Sequence, residues 1–253
     1  MLRTENMAIF IKEKQICRDL TLTFSEGQVW GILGPNGCGK TTLLQTLAGI
    51  HPIKQGHIFL REQNLAALSA KTIAQSIGIL FQDFTPVFKQ TVWEYCLAAR
   101  YPHQPYFSRE SEYDHDIVTK ALQAMQLVSL KHRPIHPLSG GERKRVAIAA
   151  LLAQTPDIYL LDEPTNHLDL RYQTHLMRFF YHLAHTKAAT IVMALHDVNI
   201  AAQFCDAILL HFPDGTVLQG NTDEMLTTEN LSRLYQTPLV KITDEMRSFW
   251  YSK

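Results

Sequence analysis

The stretch Gly34-Pro35-Asn36-Gly37-Cys38-Gly39-Lys40-Thr41 constrains this chain more than any other segment, because it matches the GxxxxGK[ST] phosphate loop in its required setting. The apolar run Val29–Leu33 leads into it, and a helical pattern reaching about residue 48 leads out. Each residue type has a reason. Glycines let backbone N–H groups close around phosphate oxygens, and the start of the following helix adds partial positive charge. Lys40 is expected to reach the β- and γ-phosphates of a nucleoside triphosphate, with the Thr41 hydroxyl on Mg²⁺. Thr42, on the same helical turn, joins the candidate nucleotide contacts.

The rest of the chain repeats the pattern of strand, loop and helix. Runs 78–81, 158–161 and Thr190–Leu195 read as further buried strands. Their alternation with helical segments predicts an α/β fold with a mostly parallel sheet covered on both faces. Two hairpins flank it. Runs 8–11 and 16–24 predict an N-terminal antiparallel β subdomain, and 207–212 and 217–219 enclose the turn Pro213-Asp214-Gly215. From 85 to 137 the pattern turns helical, with helices expected over 92–100 and 117–127 and a Pro- and aromatic-rich connector over 101–107. The expected organisation is a single domain over 1–253. Its nucleotide-binding core is 1–84 and 138–253, its inserted helical subdomain is 85–137, and a short lobe of two helical turns lies within 221–240.

In open parallel sheets, ligands bind outside the carboxyl ends of the strands. Run 158–161 ends in Asp162-Glu163. Asp162 is expected to hold Mg²⁺, and Glu163 is placed to accept a proton from the attacking water. Gln82 follows run 78–81 and is a further candidate for catalysis and for the metal; His196 follows Thr190–Leu195. Four strands thus deliver the phosphate loop, Gln82, Asp162 with Glu163, and His196 to one edge.

A second anion site stands apart. Leu138-Ser139-Gly140-Gly141-Glu142 precedes a helix expected over 143–154. Ser139 and Glu142 have capping-box spacing, which supplies a purely structural role. Two glycines beside a serine at a helix N-terminus also suit an anion. The chain's own nucleotide already has a phosphate loop, so the economical reading is that this second site faces the nucleotide of another copy.

That Leu138 to Glu142 string resembles the signature motif of the ABC transporter ATPases. The order of phosphate loop, Gln82, signature, Asp162-Glu163, Asp169 and His196 is similar to the full set of that family, over about residues 7–240. The resemblance implies ATP and Mg²⁺ as cofactors and a head-to-tail dimer enclosing two ATP molecules. Ser139, Gly140 and Gly141 would then meet the γ-phosphate held by Lys40 of the second copy, and Asp169 would lie in the loop joining the two sites. It also implies transmembrane permease subunits as partners, a substrate-binding protein acting indirectly, and a peripheral place on the cytoplasmic face of the membrane. The family usually stacks adenine on an aromatic ring; the matching position falls at Phe10 or Ile11, and only Phe10 offers a ring.

Within the family, Arg100-Tyr101-Pro102-His103, Glu163 to Asp169, and 231–240 resemble importers of iron–siderophore, haem and cobalamin. Arg100 to His103 also reads as a polar connector between helices. Sugar-importer ATPases carry a long C-terminal regulatory domain, which is not expected here. The alternatives are a separate-subunit exporter ATPase, or a soluble ABC ATPase acting on nucleic acid or the ribosome. Against the last, Lys+Arg is 24 and Asp+Glu is 24, so the net charge of zero lacks a nucleic-acid binder's basic footprint. The interval from Lys40 to Ser139, 139 − 40 = 99 residues, holds no sustained heptads. No apolar run approaches the roughly 18 residues of a membrane span, and residues 1–10 do not read as a signal peptide. The four cysteines form no CxxC pair, which argues against a zinc site. His175, His182 and His185 are expected on a solvated helix face.

Overall fold

The computed structural model describes residues 1–83, 88–105, 109–244 and 247–252. The first elements are β1 (Leu2–Ile11), β2 (Lys14–Phe24), β3 (Val29–Leu33), α1 (Lys40–Leu47), β4 (Gln55–Leu60), β5 (Gln63–Asn64), α2 (Ala70–Ser76) and β6 (Ile77–Leu80). Helices α3 (Val92–Ala98), α4 (Glu112–Ala124) and α5 (Gly140–Gln154) follow, then β7 (Ile158–Asp162), α6 (Leu170–Lys187), β8 (Thr190–Leu195) and α7 (Val198–Phe204). The chain continues through β9 (Ala207–His211), β10 (Val217–Asn221), α8 (Thr222–Met225), α9 (Thr228–Tyr235), β11 (Leu239–Asp244) and β12 (Arg247–Ser252).

The central sheet runs β10-β9-β3-β8-β7-β6, parallel except where β10 returns antiparallel on β9. Every residue of β3, β7, β8 and β9 is buried. Strands covered on both faces need such continuous apolar runs, which is why their sequences lack alternation. A second sheet, antiparallel in the order β2-β1-β4-β5, forms the N-terminal layer. The phosphate-loop helix α1 lies between the layers, with Leu43, Leu44 and Leu47 fully buried in a core shared with Phe24, Trp30 and Ile58.

Helix α5 explains how the helical segment attaches. From Val146 to Ala153 every residue is buried. A helix apolar all round must be covered all round: α3 and α4 cover one side, and β6 the other. Arg100, 3% exposed, fastens the joint. Its Nε donates to Asp114 Oδ1 at 2.8 Å, and its Nη1 donates to the Ala153 carbonyl at 2.8 Å and to Thr155 Oγ1 at 2.9 Å. His103 bonds the Gln154 carbonyl at 2.7 Å. Residues 100–103 are therefore more than a polar connector; they lock the helical segment to the end of α5.

Several elements depart from expectation. Strand β1 begins at Leu2, and β4 and β5 complete an N-terminal sheet that the hairpin alone did not foretell. The edge strand β6 ends at Leu80, leaving Phe81 44% exposed. Helix α5 starts at Gly140 because Ser139 caps it there, and α4 starts at Glu112 because Ser111 and Asp114 form a capping box. The hairpin of β11 and β12 was not anticipated. Of the α6 histidines, His182 and His185 are exposed as expected, but His175 is half-buried and bonds the Ala124 carbonyl at 2.9 Å. Part of the expected connector 101–107 and the residue that opens the expected helical insert, 85, lie outside the described residues. Among the described residues, no helix is long and apolar enough to cross a membrane.

The Arg100–Asp114 pair makes a testable contribution to stability. Burial would raise the Asp114 carboxyl, but hydrogen bonds from Arg100 and Ser111 hold it down at about 2. A carboxyl depressed on folding stabilises above its unfolded value near 3.9, and that contribution is lost as the pH falls toward the folded value. Asp114→Asn leaves a buried guanidinium without its counter-charge, so it should cost about 3 kcal/mol or more at pH 7. Denaturant melts of both proteins at pH 7 and pH 3 should show that deficit narrowing at the lower pH.

Candidate functional site

The phosphate loop leaves β3 at Gly34 and enters α1 at Lys40, at the carboxyl edge of the sheet. Two glycines there are compulsory. A Cβ on Gly34 would meet the His211 carbonyl oxygen at 2.4 Å and Cys38 Sγ at 2.7 Å. Gly39 has φ +117°, a backbone that side-chain-bearing residues rarely adopt. His211 supports the loop from beneath, fully buried, with Nε2 bonded to the Ile16 carbonyl at 2.5 Å. Burial pushes its imidazole below the usual range and the Cys38 thiol above it. Lys40 is buried and curls over the loop, donating to the carbonyls of Gly34 at 2.7 Å and Pro35 at 3.2 Å. Asn36 and Gly37 are exposed, and Thr41 and Thr42 are half-buried on the first turn of α1.

The next strand end carries the acids. Asp162 is the last residue of β7 and 2% exposed. Its Oδ1 is buried without a hydrogen-bond partner, and the Thr41 hydroxyl lies near the carboxylate. Burial raises its pKa, and neighbouring Glu163 adds to the rise, against Thr41, Lys144 and Lys40. A carboxylate oxygen left over beside a hydroxyl is a hard oxygen donor set, which fits Mg²⁺. Glu163 continues the ladder, its N–H bonding the Ala194 carbonyl at 3.2 Å, and then turns away with φ +47°. That left-handed backbone swings its carboxylate across the strand ends.

There Glu163 gathers three side chains. Gln82 Nε2 donates to Oε2 at 2.9 Å, Asn166 Nδ2 donates to the same oxygen, and His196 Nε2 bonds Oε1. The expected catalytic residues Glu163, Gln82 and His196 are thus brought into direct contact. Asn166 was missed as a member of the set, although its position three residues after Glu163 is the spacing that closes such a turn. In this arrangement Gln82 faces Glu163.

Lys144 was also missed. It is 3% exposed, and its Nζ donates to the carbonyls of Phe81 at 3.4 Å, Gln82 at 3.2 Å and Asp162 at 3.4 Å. Burial pulls its ammonium pKa down, while Asp162 and Glu163 hold it up.

The signature segment stands apart from this cluster. Ser139 caps α5: its hydroxyl accepts from Glu142 N at 3.2 Å, and Glu142 Oε2 accepts from Ser139 N at 2.8 Å. Ser139 and Gly140 are exposed, and a Cβ on Gly141 would meet the His167 carbonyl at 3.0 Å. Among the described residues, no hydrogen bond joins Ser139, Gly140 or Gly141 to the phosphate loop. Asp169 caps α6, accepting from Tyr172 N at 2.9 Å, and is exposed beside them.

A cavity of about 370 Å³ opens beside the phosphate loop, lined by Lys14, Pro35, Asn36, Cys38, Tyr235 and Gln236 among others. Ile11 pairs directly with Lys14 across the first hairpin, whereas Phe10 pairs with Gln15 and carries Lys54 over its ring at 5.6 Å. Directly opposed residues share a face of a sheet. Ile11 thus shares a face with Lys14, one of the residues lining the cavity, and Phe10 shares one with Gln15.

The family described as ABC transporter matches residues 17–166. The chain is 36% identical over 243 residues to the ferric enterobactin transport ATP-binding protein FepC of Escherichia coli (strain K12), spanning 96% of this chain and 90% of that one. It is 35% identical over 244 residues to the iron(3+)-hydroxamate import ATP-binding protein FhuC of Bacillus subtilis (strain 168), with coverage of 96% and 90%. Among solved structures, an inward-facing ABC transporter described as of metal-chelate type superposes with a TM-score of 0.85 at 30% identity, covering 99% of this chain and 95% of that one. The cassette MJ0796 in a post-hydrolysis dimer bound to ADP and Pi gives 0.75 at 25% identity, covering 88% and 99%.

Two substitutions separate binding from chemistry. Lys40→Ala removes a charge facing phosphates and should weaken ATP binding about tenfold or more in a titration. Glu163→Gln would keep every phosphate contact but lose the expected proton acceptor. It should bind ATP normally and hydrolyse it at least about a hundredfold more slowly.

Proposed function

The chain belongs to the ABC transporter family of ATP-hydrolysing subunits, and on that premise we propose that it powers an importer of an iron–siderophore or related metal chelate. The relatives named for ferric enterobactin and iron(3+)-hydroxamate support this substrate class. Haem and cobalamin are chelates of the same kind. The transported molecule itself would contact the permease and a substrate-binding protein, and not this subunit.

The single observation that carries the mechanism is the separation of two half-sites. One edge holds the phosphate loop, Asp162, Glu163, Gln82 and His196. The exposed N-terminus of α5 holds Ser139, Gly140 and Gly141, unbonded to that loop. Two copies arranged head to tail would set each Ser139 against the γ-phosphate held by Lys40 of the other copy. Asp169 would lie in the loop between the two sites.

Phosphate-loop N–H groups and Lys40 would bind the β- and γ-phosphates, with Thr42 on the same turn. Thr41 and Asp162, joined by Gln82 when it leaves Glu163, would hold Mg²⁺, which when bound neutralises phosphate charge. Glu163 would take a proton from water, oriented by Gln82, Asn166 and His196. Ile11, opposite the cavity-lining Lys14, is proposed against the adenine in place of Phe10. An aliphatic side chain there offers apolar contact without ring stacking, hence a looser grip on the base.

The helical segment over 85–137, set into a core of 1–84 and 138–253, would transmit closure to transmembrane permease subunits. A groove of about 290 Å³ lined by Ile79, Tyr95, Ala98, Ala99, Ala147 and Leu151 supports that reading. Small residues on facing helices leave room for an inserted helix. Residues 83–101 would line that groove, of which 84–87 lie outside the described residues. The subunit would sit peripherally on the cytoplasmic face of the membrane. No nucleic-acid partner is proposed.

A mixed dimer tests the arrangement. Ser139→Arg should leave ATP binding by an isolated chain intact and abolish hydrolysis and dimerisation. Pairing a Ser139→Arg chain with a Lys40→Ala chain places both defects in one composite site and leaves the other whole. One tightly held ATP per mixed dimer is expected. If each chain used its own Ser139, both sites would be defective and none would be retained.

A further inference from the structure

Arg143, Lys144 and Arg145 form a run of three cations on the first turns of α5, and their side chains go to three different places. Arg143 Nη1 donates back to the Leu138 carbonyl at 2.6 Å. Arg145 packs its guanidinium over the Tyr172 ring at 4.3 Å and reaches the Met125 carbonyl at 3.1 Å. Lys144 alone points inward. A lysine is almost never fully buried without compensation, because its ammonium loses its water shell.

The compensation is three backbone carbonyls for three N–H donors. They belong to Phe81, Gln82 and Asp162, at 3.2–3.4 Å. These are not arbitrary acceptors. Strands β6 and β7 pair as far as Leu80 with Leu161 and then diverge. Beyond that point the β6–β7 ladder no longer serves the carbonyls of Phe81, Gln82 and Asp162, and that of buried Asp162 in particular needs another donor. The ammonium fills the fork. It therefore ties together the backbone that carries Gln82, the backbone that leads into Glu163, and the helix whose first residue follows Ser139.

We infer that Lys144 is a positioning residue for ATP hydrolysis, holding the diverging ends of β6 and β7 so that Gln82 and Glu163 meet, and linking that pair rigidly to the signature helix. The inference rests on the proposed roles of Glu163 and Ser139. Lys144 touches no phosphate and no reacting atom; it acts through the two backbones. A movement of the α5 N-terminus imposed by a second copy's nucleotide would be passed to the hydrolytic pair through this side chain. Nucleotide affinity comes from the phosphate loop, on the far side of β7, and should be spared.

The test uses the full chain at concentrations where the wild type hydrolyses ATP, with three substitutions. Lys144→Met keeps the length of the side chain and removes every donor. Lys144→Arg keeps charge and donors, and Lys144→Gln keeps an amide donor without the charge. Steady-state hydrolysis, ATP titration and thermal melts are measured for each. Lys144→Met should lower kcat about tenfold or more with KM and ATP affinity within about threefold, since only an interaction needed for the chemical step is lost. Lys144→Arg should restore a large part of kcat, and Lys144→Gln a smaller part. A purely architectural role would lower the melting temperature but leave kcat per ATP-binding chain at the wild-type value, which would overturn the inference. So would a rise in KM with kcat unchanged. If Lys144→Met does not fold, the other two decide: Gln and Arg variants that both hydrolyse ATP like the wild type reject it. A wild-type chain without ATPase activity, or a fully active Glu163→Gln, would strike instead at the functional reading on which the inference stands.

Discussion

A carboxylate set at the end of a buried parallel strand has lost most of its water and must find hydrogen bonds from the protein. Glu163 meets that constraint with Gln82, Asn166 and His196, and each arrives from a different strand end or turn. The parallel order β3-β8-β7-β6 is what makes this possible, because it brings the carboxyl ends of four strands side by side. An antiparallel arrangement would send alternate ends to opposite edges. The left-handed backbone at Glu163 is the local strain that completes the geometry.

The same reasoning explains why Asp162 and Glu163, adjacent in sequence, have different tasks. Asp162 points back toward Thr41 with one oxygen unpartnered, whereas Glu163 is turned out to three donors. One would suit a cation, the other a proton. Lys40 and Lys144 stand on either side of the pair, the first over the phosphate loop and the second beneath the diverging strands. Two buried cations next to two acids keep local charge in balance before any nucleotide arrives.

Much of this was legible in the residues themselves. Phosphate loop, acidic strand end and signature are local patterns, and their roles follow from residue type and spacing. The parallel strands were legible because full burial writes unbroken apolar runs, as in Thr190–Leu195. Where burial is partial the signal fades. Strand β4, Gln-Gly-His-Ile-Phe-Leu, opens on polar residues and a glycine, and reads as loop. The burial of Lys144 and of Arg100 was invisible for a different reason. A charged residue on a helix is ordinarily solvated, and only the tertiary structure reveals that carbonyls of distant segments enclose these two. Phe10 shows what composition alone leaves open: the sequence offers an aromatic ring beside Ile11, and only the hairpin register shows which partner each one faces.

Ser139 is satisfied within its own chain by the capping box, and among the described residues it and Gly140 are exposed and make no hydrogen bond to the chain's own phosphate loop. The account therefore turns on whether one chain suffices for hydrolysis. The most direct measurement is ATPase activity per chain as protein concentration is raised at saturating Mg-ATP. A site built from two copies predicts activity per chain that starts near zero at high dilution, rises with concentration and levels off as dimers fill. Activity per chain that is constant across the range, in a protein shown to be monomeric throughout, would contradict it.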